Sequence, residues 1–210
     1  MITLAFVGMD SDELKGYDYE NVKYRVLKKS IKELVKDLVE KYGFNQFLCG
    51  AYKGFDFACF NALKELHKEV TITAAFKKET KLWKTSDRIV YNNILKRSDK
   101  VIFVDEQLGY YTKNTGYEDY YIGKYFVRNK YLVDHCDMLL CCWDGNCEGL
   151  TWNAIEYAVK KNKPIIVIDP MDLSLKIYKD SKWRNASRLF ATMDSSPDKI
   201  ISYKGEKADE

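Results

Sequence analysis

The chain has 210 residues, 46% of them hydrophobic and 31% charged, with 34 basic side chains against 31 acidic ones. A length and balance of this kind fit one globular unit that buries roughly 70% of its unfolded surface. The net charge of +3, with lysines mixed evenly among glutamates, gives no basic stripe for nucleic acid, and no apolar run approaches the roughly 20 residues that span a bilayer.

Residues 2–8 open the chain as an apolar strand directly after Met1, with no basic region or cleavage site before it, so a cytoplasmic protein is expected. A helix follows over about 21–42, with Val22, Val26, Ile31, Leu34, Val35, Leu38 and Val39 assigned to its core stripe. A second strand at 46–50 runs into Ala51-Tyr52-Lys53-Gly54 and a helix carrying Ala58, Ala62, Leu63 and Leu66. Strands are expected again at 70–76, 100–104, 138–143 and 164–169, separated by helices at 85–98, 124–135 and 151–161. Continuous apolar runs of this kind are buried on both faces, as in a parallel sheet. Their alternation with helices predicts an α/β fold: a Rossmann-like, doubly wound, mostly parallel sheet with helices on both faces.

The connection from Asp105 to Gly123 is long and carries Tyr110, Tyr111, Tyr117, Tyr120 and Tyr121. Such rings could close over a base or pack against a second copy of the chain, and a homodimer is expected on the second account. Beyond residue 170 the chain turns polar, with Trp183 as its large anchor. A domain over 1–170 and a partly disordered extension over 171–210, fraying past Tyr203, are expected.

The six cysteines at 49, 59, 136, 141, 142 and 147 lie mostly within apolar segments and lack disulfide-framework spacing. Cys141 and Cys142 are adjacent on a strand and so point to opposite faces, which argues against a metal site. His67 and His135 show no evident partner in the sequence and read as structural. No cofactor is called for.

Two strand-to-helix loops carry the functional signal. Gly50 and Gly54 would let the backbone turn tightly and approach a ligand, although a plain turn also favours glycine. Asp56 could accept a ribose hydroxyl or cap its helix. In the second loop, Trp143-Asp144-Gly145-Asn146-Cys147-Glu148-Gly149 leads to Thr151 and Asn153. Thr151 could bind phosphate with neighbouring amides or cap its helix, while Asn153 and Asn129 are candidate readers of ribose or base. Arg128 could pair with phosphate through both of its terminal nitrogens, or form a surface ion pair. Gly8 ends the first strand on the same sheet edge, where ligands of open α/β sheets collect.

Taken together, Cys49-Gly50-Ala51, Gly54-Phe55-Asp56, Arg128-Asn129 before Asp137, Trp143-Asp144-Gly145, Thr151, Asn153 and Tyr157-Ala158 resemble the YpsA-like branch of the SLOG superfamily over roughly residues 1–169. The resemblance implies a Rossmann-like domain whose ligand is a nucleotide or an NAD- or ADP-ribose-derived molecule. Gly8, Gly50, Ala51, Gly54, Asp56, Arg128, Asn129, Asp144, Gly145, Gly149, Thr151 and Asn153 would line its site, and the family pattern favours a phosphate partner for Arg128. Related LOG phosphoribohydrolases and deoxyribosyltransferases place a catalytic glutamate three residues after the loop threonine. Here that position is Ala154, and Glu156 is rotated about 200° from it on a helix. Many relatives also carry a basic residue soon after the first strand, whereas Asp10 and Asp12 stand here. The expectation is a sensing or sequestering module; the alternatives are a nucleotide N-glycosidase or deoxyribosyltransferase-like enzyme, and a DprA-like DNA-binding protein. Asp10, Asp12 or Glu148 could supply the enzyme's carboxylate.

Overall fold

A computed structural model describes residues 1–14, 21–112, 116 and 119–186. Tyr117 and the expected frayed tail past Tyr203 lie outside them. Strand β1 (Thr3–Gly8) is followed by α1 (Val22–Tyr42), β2 (Gln46–Gly50), α2 (Phe55–Glu65), β3 (Thr71–Ala74), α3 (Thr85–Arg97) and β4 (Lys100–Phe103). After a short 3-10 turn at Val104–Glu106 come α4 (Gly123–Asp134), β5 (Met138–Cys142), α5 (Gly149–Lys160), β6 (Ile165–Ile168), β7 (Leu175–Lys179) and β8 (Lys182–Ala186). The strands form one sheet in the order β4-β3-β2-β1-β5-β6-β7-β8, parallel from β4 to β6 and antiparallel thereafter.

The apolar strand runs alternate between two cores. Leu4, Phe6, Leu140 and Cys142 pack under α1, α2 and α3, whereas Ala5, Val7, Leu139 and Cys141 pack under α4 and α5. A period-2 strand buried on both faces requires apolar side chains at every position, which explains runs such as Met138-Leu-Leu-Cys-Cys142. The adjacent thiols of Cys141 and Cys142 thus lie in different layers.

Helix α1 starts at Asn21, whose side chain accepts from Lys23 N at 2.8 Å. Its buried stripe is Tyr24, Leu27, Ile31, Leu34, Val35, Leu38 and Tyr42. Val22 and Val26 are 62% and 46% exposed, which corrects their assignment to the core stripe. They share a face with Lys29 and Glu33, because residues four apart overlie one another, and the aromatic Tyr24 takes the inward position instead.

Two strands beyond the expected six lengthen the sheet. Leu175–Lys179 alternates only weakly between polar and apolar side chains, so periodicity hid it, yet Ile177 and Tyr178 are buried against β6. No helix among the described residues is long and apolar enough to cross a membrane.

Candidate functional site

Strand order reverses between β1 and β5, since the chain winds from β1 toward β4 and then returns across β5 toward β6. The crevice outside the carboxyl ends of those strands is where open α/β sheets bind ligands. Three loops meet there: 9–14 after β1, 51–54 after β2 and 143–148 after β5.

The first loop folds on itself. Asp10 Oδ1 accepts from Asp12 N and Glu13 N, both at 2.8 Å, and Glu13 Oε2 accepts from Asp10 N at 3.0 Å. Phe55 N donates to Met9 O at 3.1 Å, which pins the second loop against the first. Gly54 adopts φ +101, and a Cβ there would lie 2.6–2.7 Å from backbone atoms of Met9, Asp10 and Ser11, so only glycine permits this approach. Gly8 is likewise covered, with the Phe55 ring where its Cβ would stand.

At Gly50 the missing side chain makes room for charge. A Cβ would fall 2.0 Å from Asp56 Oδ2 and 2.8 Å from Arg128 Nη1. Those two side chains form an ion pair at 3.3 Å with 2% and 4% exposure. Arg128 is therefore an internal cation, not the exposed partner of a surface pair. Asp56 sits in the first turn of α2, whose N-cap is Gly54, and its Oδ2 also accepts from Tyr52 N at 3.2 Å. Burial raises the Asp56 carboxyl to about 6, while Arg128 and the Tyr52 amide pull it back toward ionisation.

From Arg128 the bonding continues to the other loop. Its Nε and Nη2 donate to Asn129 Oδ1 at 3.3 and 3.0 Å, and Asn129 Nδ2 donates to Leu150 O at 2.8 Å. A single chain, Asp56–Arg128–Asn129–Leu150, thus braces α2, α4 and α5 against one another. Ala51 is fully buried beside it.

The loop after β5 is built around Trp143, whose Nε1 donates to Asn146 O at 2.7 Å while its ring stacks on Trp152 at 5.3 Å. Asp144 Oδ1 accepts from Asn146 N at 3.0 Å, forming an Asx turn. Gly145 and Gly149 both have positive φ; among the described residues nothing stands within 4 Å of the Cβ position at Gly145, and only Glu13 Oε1, at 3.9 Å, does so at Gly149. The N-cap of helix α5 is Glu148, which makes no side-chain cap bond. Thr151 lies inside the first turn and not at the cap, so its capping role does not apply. Asn153 Oδ1 is buried without a hydrogen-bond partner among the described residues.

Charge around this edge is mostly negative. Asp10, Asp12, Glu13 and Asp144 surround the first and third loops, and Lys53 is committed to Asp12 at 2.6 Å. Burial is the main reason that the Glu13 carboxyl rises, opposed by the Asp10 amide and reinforced by the Asp10, Asp144 and Asp12 charges.

Glu79 is one buried polar side chain that the sequence did not reveal; the Lys124–Asp105 ion pair, at 3.0 Å, is another. Glu79 follows β3 inside Lys77-Lys78-Glu79, a run that reads as solvated surface, yet it is 1% exposed. Its Oε2 accepts from Ala75 N at 2.9 Å. Burial raises its carboxyl to about 7, with Arg128 and the Ala75 amide opposing and Asp56 adding to the rise. The Tyr91 hydroxyl faces the Glu79 carboxyl in a bond of poor geometry, which draws Glu79 back toward ionisation and helps to hold the Tyr91 proton.

Other candidates fall away from the edge. Ala154 is fully buried, and Glu156 points outward into an ion pair with Lys160 at 3.0 Å. His135 does have partners: its Nδ1 lies 2.8 Å from Tyr131 O and its ring stacks on Tyr131 at 4.0 Å. In the tyrosine-rich connection, Tyr110 donates to Asp134 at 2.9 Å, and Tyr120 leans over Phe76 and Tyr125 at 6.3 and 6.2 Å.

The YpsA family model, described as the YspA SLOG family, covers residues 4–173. The uncharacterized SPbeta prophage-derived protein YoqJ of Bacillus subtilis (strain 168) is 28% identical over 139 residues, which are 64% of this chain and 81% of YoqJ. Among solved structures, DNA processing protein A (DprA) from Streptococcus pneumoniae aligns with a TM-score of 0.51 and 14% identity, over 79% of this chain and 50% of DprA. TM1055 aligns at 0.46 and 14% identity, over 79% of this chain and 72% of its own. This chain spans only half the length of DprA, and the likeness is one of fold. With the family match running from the first strand to the turn before β7 and both glycine loops inside it, the chain belongs to the YpsA family of SLOG domains.

Proposed function

We propose that this SLOG domain binds a nucleotide or an NAD- or ADP-ribose-derived ligand across the carboxyl ends of β1, β2 and β5, and acts as a sensor or sequestering module. The observation that carries this reading is the buried Asp56–Arg128–Asn129–Leu150 chain, which fixes both glycine loops in one geometry at the strand-order reversal. A preformed site loses less ordering entropy on binding. The N-terminus of α5, with Thr151 in its first turn and no side-chain cap, supports a phosphate or a ribose oxygen there. The acidic rim favours ligands with few phosphates, because Arg128 is already neutralised by Asp56.

The test is mass spectrometry of small molecules retained after incubation with mono- and triphosphate nucleotides, NAD and ADP-ribose, with the flow-through assayed for free base. Retention of an intact ligand, lost in Thr151→Val and weaker for triphosphates, is the expected result. Ligand stabilisation unchanged by Thr151→Val would remove the α5 end of the site.

A nucleotide N-glycosidase or deoxyribosyltransferase-like activity is a second reading, favoured by the Asp56 and Glu79 carboxyls, which stand at about 6 and about 7 and so are poised for proton transfer near neutrality. Free base accumulating with time and protein concentration would replace the binding reading with this one.

A further inference from the structure

Near the ends of β2 and β3 the buried Asp56 Oδ1 and Tyr125 Oη have no hydrogen-bond partner among the described residues, and beside them the Glu79 Oε1 and Tyr91 Oη atoms face only each other. Their residues are each 2% exposed or less. Buried polar groups are nearly always paired, so two orphans beside a weakly joined pair call for a cause.

They belong to one closed circuit of contacts. The Tyr52 ring meets Trp83 at 5.1 Å and Tyr125 at 5.4 Å, and Trp83 meets Tyr91 at 5.6 Å. Tyr91 faces Glu79, whose neighbour Phe76 meets Tyr125 at 6.0 Å. Arg128 closes the circuit, standing 5.9 Å from the Tyr125 ring centre and holding Asp56, which in turn accepts from Tyr52 N. Within the circuit Asp56 Oδ1 and Tyr125 Oη stay unpaired.

We propose that this circuit is a polar subsite for a part of the ligand that carries neighbouring N–H or O–H donors, either the amino edge of a purine base or the cis-diol of a ribose; the proposal rests on the binding reading of the two loops. Carboxylate oxygens only accept when ionised, and phenol hydroxyls do either, so the set matches a donor-rich group and repels phosphate. The subsite also adjoins the α5 end of the site: Leu150 packs against the cluster of Ala75, Phe76 and Tyr125, and its carbonyl ends the brace from Asp56. From β5 to β3 is three strand spacings, about 14 Å, so one elongated ligand can touch both ends.

Isothermal titration of the full chain with AMP, GMP, their 2′-deoxy forms and ribose 5-phosphate tests this. Glu79→Gln keeps the size and an acceptor for Ala75 N but turns an amide donor toward the ligand's donors; Tyr125→Phe keeps the ring. Both variants should melt at or above the wild-type temperature or within a few degrees of it, and Glu79→Gln should lose about 10- to 100-fold in affinity. An amino-edge ligand predicts weak ribose 5-phosphate binding and indifference to the 2′-hydroxyl. A diol ligand predicts the reverse. Affinities of both variants within twofold of wild type, with binding still abolished by Thr151→Val, would overturn the subsite alone. Wild-type protein that binds none of the probes would overturn the two-loop reading and the subsite together.

Discussion

Replacing Glu79 by Gln should make the protein more stable at neutral pH, by an amount that the pH itself controls. In the folded chain the Glu79 carboxyl is raised from 4.5 to about 7, because burial penalises its charge more than Arg128 and the Ala75 amide relieve it. A carboxyl whose proton is held more tightly in the folded state contributes stability that is fully present below its ordinary value and is lost as pH rises through the folded one. At about 1.4 kcal/mol per tenfold in proton affinity, the loss between pH 4.5 and 7 is about 3 kcal/mol. Gln carries no proton to lose, so the variant escapes this term, while the parallel loss from Asp56 occurs in both proteins and cancels to first order. Urea unfolding of both proteins from pH 4.5 to 8 should give a difference near zero at the acid end and about 3 kcal/mol in favour of Gln above pH 7. For a chain of this size that corresponds to a rise of about 6–12 °C in melting temperature. A difference that stays constant with pH, or a variant less stable throughout, would refute the claim that a buried charge is being carried there.

The brace between the loops should be intolerant of change. Gly50→Ala places a methyl 2.0 Å from Asp56 Oδ2 and should cost about 1–3 kcal/mol in denaturant unfolding, where a cost under 0.5 kcal/mol would contradict the geometry. Arg128→Leu leaves Asp56 buried without its cation and should cost about 3–5 kcal/mol, with part of the loss recovered in the double variant with Asp56→Asn; equal stability of the single and double variants would show that the pair is not coupled. Cys147 is exposed, whereas the other five thiols are buried, and Cys49, Cys59 and Cys141 are pushed well up by that burial. A disulfide-exchange reagent should therefore consume one thiol per native chain and six after unfolding, and fast reaction of a second native thiol would place a strand cysteine at the surface.

The parallel core was legible because its residues obey one rule at a time. A strand buried on both faces must be apolar throughout, so β1, β2, β5 and β6 stand out as uninterrupted runs, and Gly54 and Gly149 punctuate them where a helix starts. Val22 and Val26 misled because apolar character alone does not fix a helix's phase; Tyr24, with its polar tip, is the residue that packs. Strands β7 and β8 escaped for a related reason, since lysines and an arginine interrupt their apolar residues without a regular period on an antiparallel edge. At the site, the sequence pointed to both loops but not to the side chains that join them. Arg128 and Asp56 are 72 positions apart, and each alone has an ordinary surface role. Glu79 was hidden by two preceding lysines, and its location just past the end of β3 was the available clue.

The β7–β8 hairpin changes where the sheet stops. Without it, β6 would present the backbone donors and acceptors of Ile165-Ile-Val-Ile168 as an open margin, a short, uncharged, β-branched template of the kind that recruits strands from other molecules. The hairpin instead offers Lys176, Lys179, Lys182 and Arg184 along the outer ribbon, where cations discourage pairing with a second chain. The segment beyond the family match thus acts as a selvedge: shortened to residue 173, the protein would keep both glycine loops intact while exposing its most adhesive strand.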